Sequence, residues 1–187
     1  MGNKSCILGI IAAVFAWVVI GVSWSLNPWF DFFKHAFSDL GTKQANMPWV
    51  YNYGLIATGV LIILYSICTY RYATNKMEAV GSGFLFIAGI FLALIGVYPG
   101  GTRPHVFVST WFFVQMDMAI IAMGLGLLMR AIWRVGLAIT LLGLMAFPVY
   151  VVVDYLVGWP SVAVGEAYGI IVIDIAVLLL VYEQIKH

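Results

Sequence analysis

Four side chains could do most of the chemistry open to this sequence: His35, Asp39, His105 and Glu166. His35 and Asp39 stand four apart in His35-Ala-Phe-Ser-Asp-Leu-Gly41. On a helical turn that spacing puts both on one face. An imidazole beside a carboxylate can act as an acid–base pair or as two metal ligands. His105 and Glu166, brought from elsewhere in the chain, would complete two imidazoles and two carboxylates, a set that suits zinc or another divalent metal. The plainer reading of the same residues is hydrogen-bonded structure or headgroup binding. No HxxxH or HExxH spacing, no CxxCH and no phosphate-cradling loop is present.

The elements that must position these residues follow from composition. The chain has 187 residues, 64% of them hydrophobic and 9% charged, against about 25% charged in a soluble domain. That predicts an integral membrane protein. With no basic run, nucleic acid is not an expected partner; membrane lipids are, and a homo-oligomer is left open. Cys6 and Cys68 do not make a disulfide framework, and each reads as a small apolar packing residue. The N-terminus resembles a signal peptide, since Lys4 precedes an apolar run. That run is too long for an h-region and lacks a small-x-small cleavage site, so it reads as a retained first span. The myristoylation pattern fails because Cys6 stands where Ser or Thr is needed.

A helix needs about 20 apolar residues to cross the hydrocarbon. Six segments qualify, at about 6–26, 48–70, 80–98, 105–129, 135–157 and 162–182, with Pro148 as an expected kink. The fold class is therefore all-α: one six-helix transmembrane domain over 1–187. Basic residues set its orientation. Lys4, Arg71, Lys76, Arg130, Arg134 and Lys186 fall at one end, and Lys34, Lys43 and Arg103 at the other. The expectation is N-in and C-in, in a prokaryotic cell membrane. The long first loop then lies outside. Its aromatics, Trp29 to Phe37, read as an interfacial helix or re-entrant cap anchored in the headgroup zone.

This topology gathers polar residues at the outer end. His35 and Asp39 are on the first loop, Asn52 is one turn into the second helix, and Arg103 and His105 open the fourth. Asp154 lies near the end of the fifth, and Glu166 one turn into the sixth. Asn52, Arg103, Asp154, Glu166 and His35 are the binding candidates, in an outward-facing cup. Arg103 could hold a lipid phosphate or merely snorkel. The inner half offers only Cys, Ser, Thr and Tyr. Asp117 and Asp174 each lie 12 residues into their spans, about 18 Å deep at helical rise. Carboxylates at one depth could share a proton, as a proton-coupled carrier needs; the plain alternative is a protonated Asp bonded between helices. Glycines at 81, 83, 124, 126, 136, 143, 165 and 169 read as close helix packing.

The same residues carry a resemblance. His35-Ala-Phe-Ser-Asp-Leu-Gly41 is similar to the H-x-x-SDLG signature of a widespread prokaryotic family of six-helix membrane proteins. That family carries a domain of unknown function and is related to the eukaryotic Frag/DRAM/Sfk group. The resemblance continues into Asn52 at the start of the second helix, and Gly96-Val-Tyr-Pro99 and His105 resemble its "G-x-F-P … H" pattern, with Tyr98 in place of the usual Phe. Glu166 matches its acidic residue before the last helix, but Ala167 stands where the family more often has Arg. The resemblance implies a six-helix bundle and little about activity; the eukaryotic relatives are linked to lipid-anchor remodelling, a fold-level analogy.

Three functions remain open. The first is binding of, or chemistry on, a lipid headgroup or lipid-linked substrate. As an enzyme this would be a hydrolase or transferase, with His105 and Asp39 as catalytic or metal-ligating residues and His35 and Glu166 supporting. The second is a small proton-coupled transporter using Asp117 and Asp174. The third is a lipid-organising protein without turnover.

Overall fold

The computed structural model describes residues 4–186. Met1 to Asn3, weighed above as a leader or acylation signal, and the Lys4 side chain, counted in the charge balance, lie outside the described residues. Six helices form: α1 (Leu8–Ser25), α2 (Pro48–Tyr72), α3 (Lys76–Val97), α4 (His105–Met129), α5 (Trp133–Leu156) and α6 (Val162–Lys186). Each is long and apolar enough to cross a membrane, which makes this a multi-pass integral membrane protein. Among the described residues there is no strand, as expected where lipid cannot satisfy open backbone edges. The helices differ from the expected bounds most at two places: α3 starts at Lys76 rather than near 80, and α6 runs to Lys186 rather than about 182.

That earlier start has a local cause. Asn75 caps the helix, its side chain accepting the Glu78 amide at 3.0 Å. Glu78 reaches back to accept the Thr74 amide at 2.7 Å. The side chain read as part of a loop is thus drawn into the helix and buried.

The helices pack in a ring in chain order. Contact is closest between α2, α3 and α4, and sparsest where α6 meets α1 and α4. Lipid gives no hydrophobic drive between helices, so close approach of small residues supplies the packing. Gly59 and Gly89 face each other where α2 crosses α3. A Cβ on Gly89 would stand 2.8 Å from the Gly59 carbonyl oxygen. Gly124 and Gly136 do the same for α4 and α5. The helical-packing reading of the glycines holds except at Gly83, which faces open space. Pro148 lies inside α5.

The first loop, the 98–104 loop and the 157–161 loop share one end of the bundle, here called the capped end. The N-terminal turn, the two short turns and the end of α6 share the other, the terminal end. Two expectations about the terminal end are overturned. Cys6 and Cys68 are joined by a disulfide, their Cα atoms 5.7 Å apart, rather than packing as free thiols. No spacing rule could pair two cysteines on different helices; only helix packing brings them together. The terminal end is also not confined to Cys, Ser, Thr and Tyr. Glu78 and Glu183 are buried there. Arg130 meets Glu78 at 3.4 Å, and Asn75 donates to the Gly126 carbonyl at 3.0 Å. Glu78, Arg130 and Glu183 line a second pocket with Thr69, Thr74 and Gln184.

Candidate functional site

The first loop folds into a plug over the capped end. Asn27, fully buried, is its hub. Its amide nitrogen donates to the Ser23 carbonyl at 2.8 Å, while its oxygen accepts the Asn46 amide at 2.7 Å and the Trp29 indole at 3.0 Å. One side chain therefore ties the two ends of the loop. Phe30 and Phe37 turn inward and stack at 6.2 Å between centroids, with Phe32 tilted against Phe37. The aromatics are thus split: these pack the plug, while Phe33 and Trp49 stay exposed as anchors.

His35 belongs to this packing. Its Nδ1 accepts the Asp31 amide at 2.9 Å, and its ring lies edge-on to Trp29. The backbone there also docks to α6: the Ala163 amide donates to the His35 carbonyl at 3.0 Å. Ser161 Oγ donates to the Phe32 carbonyl at 2.6 Å. Asp31 pairs with Lys34 at 2.8 Å on the exposed rim. That hydrogen bond holds its carboxyl below the usual range and raises the Lys34 ammonium.

The Ser-Asp-Leu-Gly signature forms a tight 3-10 turn, Phe37–Gly41. Asp39 folds back on the turn and accepts the Ala36 amide at 2.9 Å. Leu40 is fully buried. Gly41 lies against Asn52, whose side-chain nitrogen donates to the Gly41 carbonyl at 2.9 Å. A Cβ on Gly41 would collide with the Asn52 oxygen, so the signature needs glycine for close approach. Glu166 accepts the Phe37 amide at 2.8 Å, a bond from α6 to the turn. Ser38 is left facing inward.

Beneath the plug lies a cavity enclosed by α1, α2, α3, α4 and α6. Its empty space is about 940 Å³ with its mouth included, of which about 100 Å³ can hold the centre of a water molecule. On α2 its wall runs from Tyr51 to Tyr65 and on α6 from Glu166 to Val177, so it is about 20 Å long at helical rise. The polar lining is concentrated under the plug, in Ser38, Tyr51, His105, Ser109 and Glu166. Below them the walls are nearly all apolar, with Thr58 and Asp174 as the main interruptions. Gly9, Ala12, Ala13 and Ala16 of α1 leave the space that larger side chains would fill.

One hydrogen bond fixes the ring of His105. Its Nδ1 lies 2.8 Å from the Tyr98 carbonyl oxygen. A carbonyl only accepts, so Nδ1 carries the proton, and in the neutral ring Nε2 is an acceptor. His105 lines the cavity, as does Glu166, whose second carboxylate oxygen is not used by the turn.

The structure thus brings together only some of the expected residues. His105, Glu166 and, from the signature, Ser38 meet at the cavity. Asn52, Asp39 and His35 brace the plug from behind. No hydrogen bond links His35 to Asp39 among the described residues, and no three His, Cys, Asp or Glu side chains there group closely enough to hold a metal ion. Arg103 is exposed on its loop. Asp154 is also exposed and lines no cavity, contrary to its expected place in the cup. The reason is that α5 lies outside the ring of cavity-lining helices, and Trp159 stacks between Tyr150 and Tyr168 at that end.

Asp117 and Asp174 do not share the cavity. Asp174 lines the cavity and accepts the Trp17 indole at 2.7 Å. Asp117 is half-buried outside the cavity lining, and no hydrogen bond joins the two among the described residues. Tyr51, missed in the sequence, lines the cavity roof; its position one residue before Asn52 was the available signal.

No curated protein and no solved structure matches the chain. A family model described as a protein of unknown function (DUF998) matches residues 10–183, from within α1 to near the end of α6, and the chain belongs to that family.

Proposed function

We propose that this protein binds a lipid or lipid-linked molecule, its head under the first-loop plug and its chain in the central cavity. The observation that carries this reading is the cavity's polarity: polar groups sit at one end, beneath the plug, and a long apolar shaft extends from them. Half of a hydrocarbon core about 30 Å thick is about 15 Å, the reach of one tail. A shaft about 20 Å long holds such a tail and part of its head.

The orientation belongs to this proposal. Arg71, Lys76, Arg130, Arg134 and Lys186 at the terminal end outnumber Lys34, Lys43 and Arg103 at the capped end. This balance supports N-in and C-in in a prokaryotic cell membrane, with the plug outside. If the protein is catalytic, His105 is the base: with Nδ1 carrying the proton, Nε2 can accept one, and Glu166 lines the same roof. Hydrolysis or group transfer is then the reaction class, with Asp39 and His35 holding the plug over the head. A divalent metal in this reading would take its first two ligands from His105 and Glu166.

The test is reconstitution of the full chain in vesicles, with mass spectrometry of its co-purified lipids. His105→Ala should keep the helical fold and lose turnover or the bound lipid. Unchanged lipid retention and turnover in that variant would overturn the reading. Lipid retained without any turnover assigns the protein to lipid organisation.

A second reading, a proton-coupled carrier, is favoured by Asp174 in the cavity wall at mid-depth. Asp117 would then act from the outer face of the same layer. Vesicle uptake that stays pH-dependent in the double Asp117→Asn, Asp174→Asn variant would end it.

A further inference from the structure

The head chemistry of the ligand can be read from the cavity, on the assumption that the lipid reading above is right. We propose that the cavity takes a single-chain amphiphile whose head donates hydrogen bonds and carries no negative charge, a long-chain alcohol or amine.

Three observations converge on this class. The first is the balance of donors and acceptors at the roof. His105 presents Nε2 as an acceptor because Nδ1–H is committed to the Tyr98 carbonyl. Glu166 presents its second carboxylate oxygen, since the first accepts the Phe37 amide. Ser109 spends its proton on the Val106 carbonyl and so offers lone pairs. The Ser38 and Tyr51 hydroxyls can donate as well as accept, so the roof offers more acceptors than donors and best matches a head group that supplies protons.

The second is charge. The lining holds Glu166 and Asp174 but no Lys or Arg. Arg103, the basic residue that could have drawn a phosphate, is exposed on the 98–104 loop and is not part of the wall. A phosphate or carboxylate head would stand beside Glu166 with no counter-charge, in surroundings where an uncompensated charge costs several kcal/mol. An ammonium is favoured there, and a hydroxyl is tolerated.

The third is room. Ala12, Ala13 and Ala16 of α1 and Ile170 and Ile173 of α6 line the shaft. Its room for water-sized centres, about 100 Å³ spread over the length of the cavity, fits one chain and not two.

The experiment uses the full chain in nanodiscs of phosphatidylcholine. Native mass spectrometry and thermal shift would follow titration with hexadecylamine, hexadecanol, hexadecanoate and hexadecyl phosphate. The amine and the alcohol should bind about tenfold or more tightly than the two anions, the size expected for one charged hydrogen bond. Glu166→Gln should remove the preference of amine over alcohol while leaving the alcohol bound. Ala16→Leu, which fills the shaft, should weaken every probe; Ala13→Leu serves if that variant fails to fold. If the anions bind as well as the amine, and Ala16→Leu or Ala13→Leu blocks them, the head assignment falls while the lipid reading stands. If no probe binds, both fall. If binding ignores both α1 variants, the probes sit on the outer belt and the inference is overturned.

Discussion

Glu166, one turn into α6, holds the Phe37 backbone amide at 2.8 Å, across 129 residues of chain. The same side chain lines the cavity. One carboxylate therefore both holds the plug and forms part of the roof of the cavity beneath it.

Glu166→Ala should loosen the plug more than it unfolds the bundle. Loss of a hydrogen bond to a charged group costs about 1.5–3 kcal/mol. Hydrogen exchange of the amides from Phe37 to Gly41 should accelerate, while exchange in α2 and α3 stays slow. Glu166→Gln keeps an acceptor and should show a smaller effect. Equal protection of the turn in all three proteins would show that the latch does not hold it.

At mid-depth, Asp174→Asn retains an acceptor for the Trp17 indole, whereas Asp174→Leu does not. The first should change stability in detergent by about 0.5 kcal/mol or less, and the second by about 1–3 kcal/mol, because the indole N–H is stranded. Thermal melts of the two variants against Trp17→Phe measure the bond.

Gly59 and Gly83 give a matched pair. A Cβ at Gly59 would press on the backbone of α3, while Gly83 has open space around it. Gly59→Leu should destabilise the bundle by about 1–3 kcal/mol through overpacking, and Gly83→Leu should be near neutral. Comparable melting points for the two would contradict the closest crossing in the fold.

The Cys6–Cys68 bridge closes a loop spanning 62 positions. Chain entropy puts its stabilisation at about 4 kcal/mol. The oxidised chain should melt well above the reduced one, and Cys6→Ser should abolish that difference. With the terminal end in the cytoplasm, both thiols should alkylate in growing cells, since that compartment keeps thiols reduced. A bridge found intact in cells would reverse the proposed orientation.

Glu78 holds the opposite end of the bundle together. It accepts the Thr74 amide and pairs with Arg130, linking the α2–α3 turn to the end of α4. Arg130→Met should cost about 1–3 kcal/mol by leaving a buried carboxylate with fewer donors. Restoration of the melting point by adding Glu78→Gln to Arg130→Met would identify charge, rather than packing, as the cause.

The sequence by itself determined the class and the count of elements. Length of apolar run and the rarity of charge are properties of a segment, and lipid leaves a segment with one solution, a helix. It also counted Asp117 and Asp174 each 12 residues into an expected span. What tertiary structure alone decided was azimuth and partnership. Asp174 faces the cavity and Asp117 does not, because the helices are apolar nearly all round and no polar stripe announces which side turns inward. His105 and Glu166 meet under the plug, while Asp39, the centre of the conspicuous signature, is spent on its own turn. A loop carboxylate can bond the nearest backbone amide or a distant substrate, and its residue type is the same in either case. Cys6 and Cys68 became a pair for the same reason: contact between helices depends on packing, which spacing along the chain does not encode.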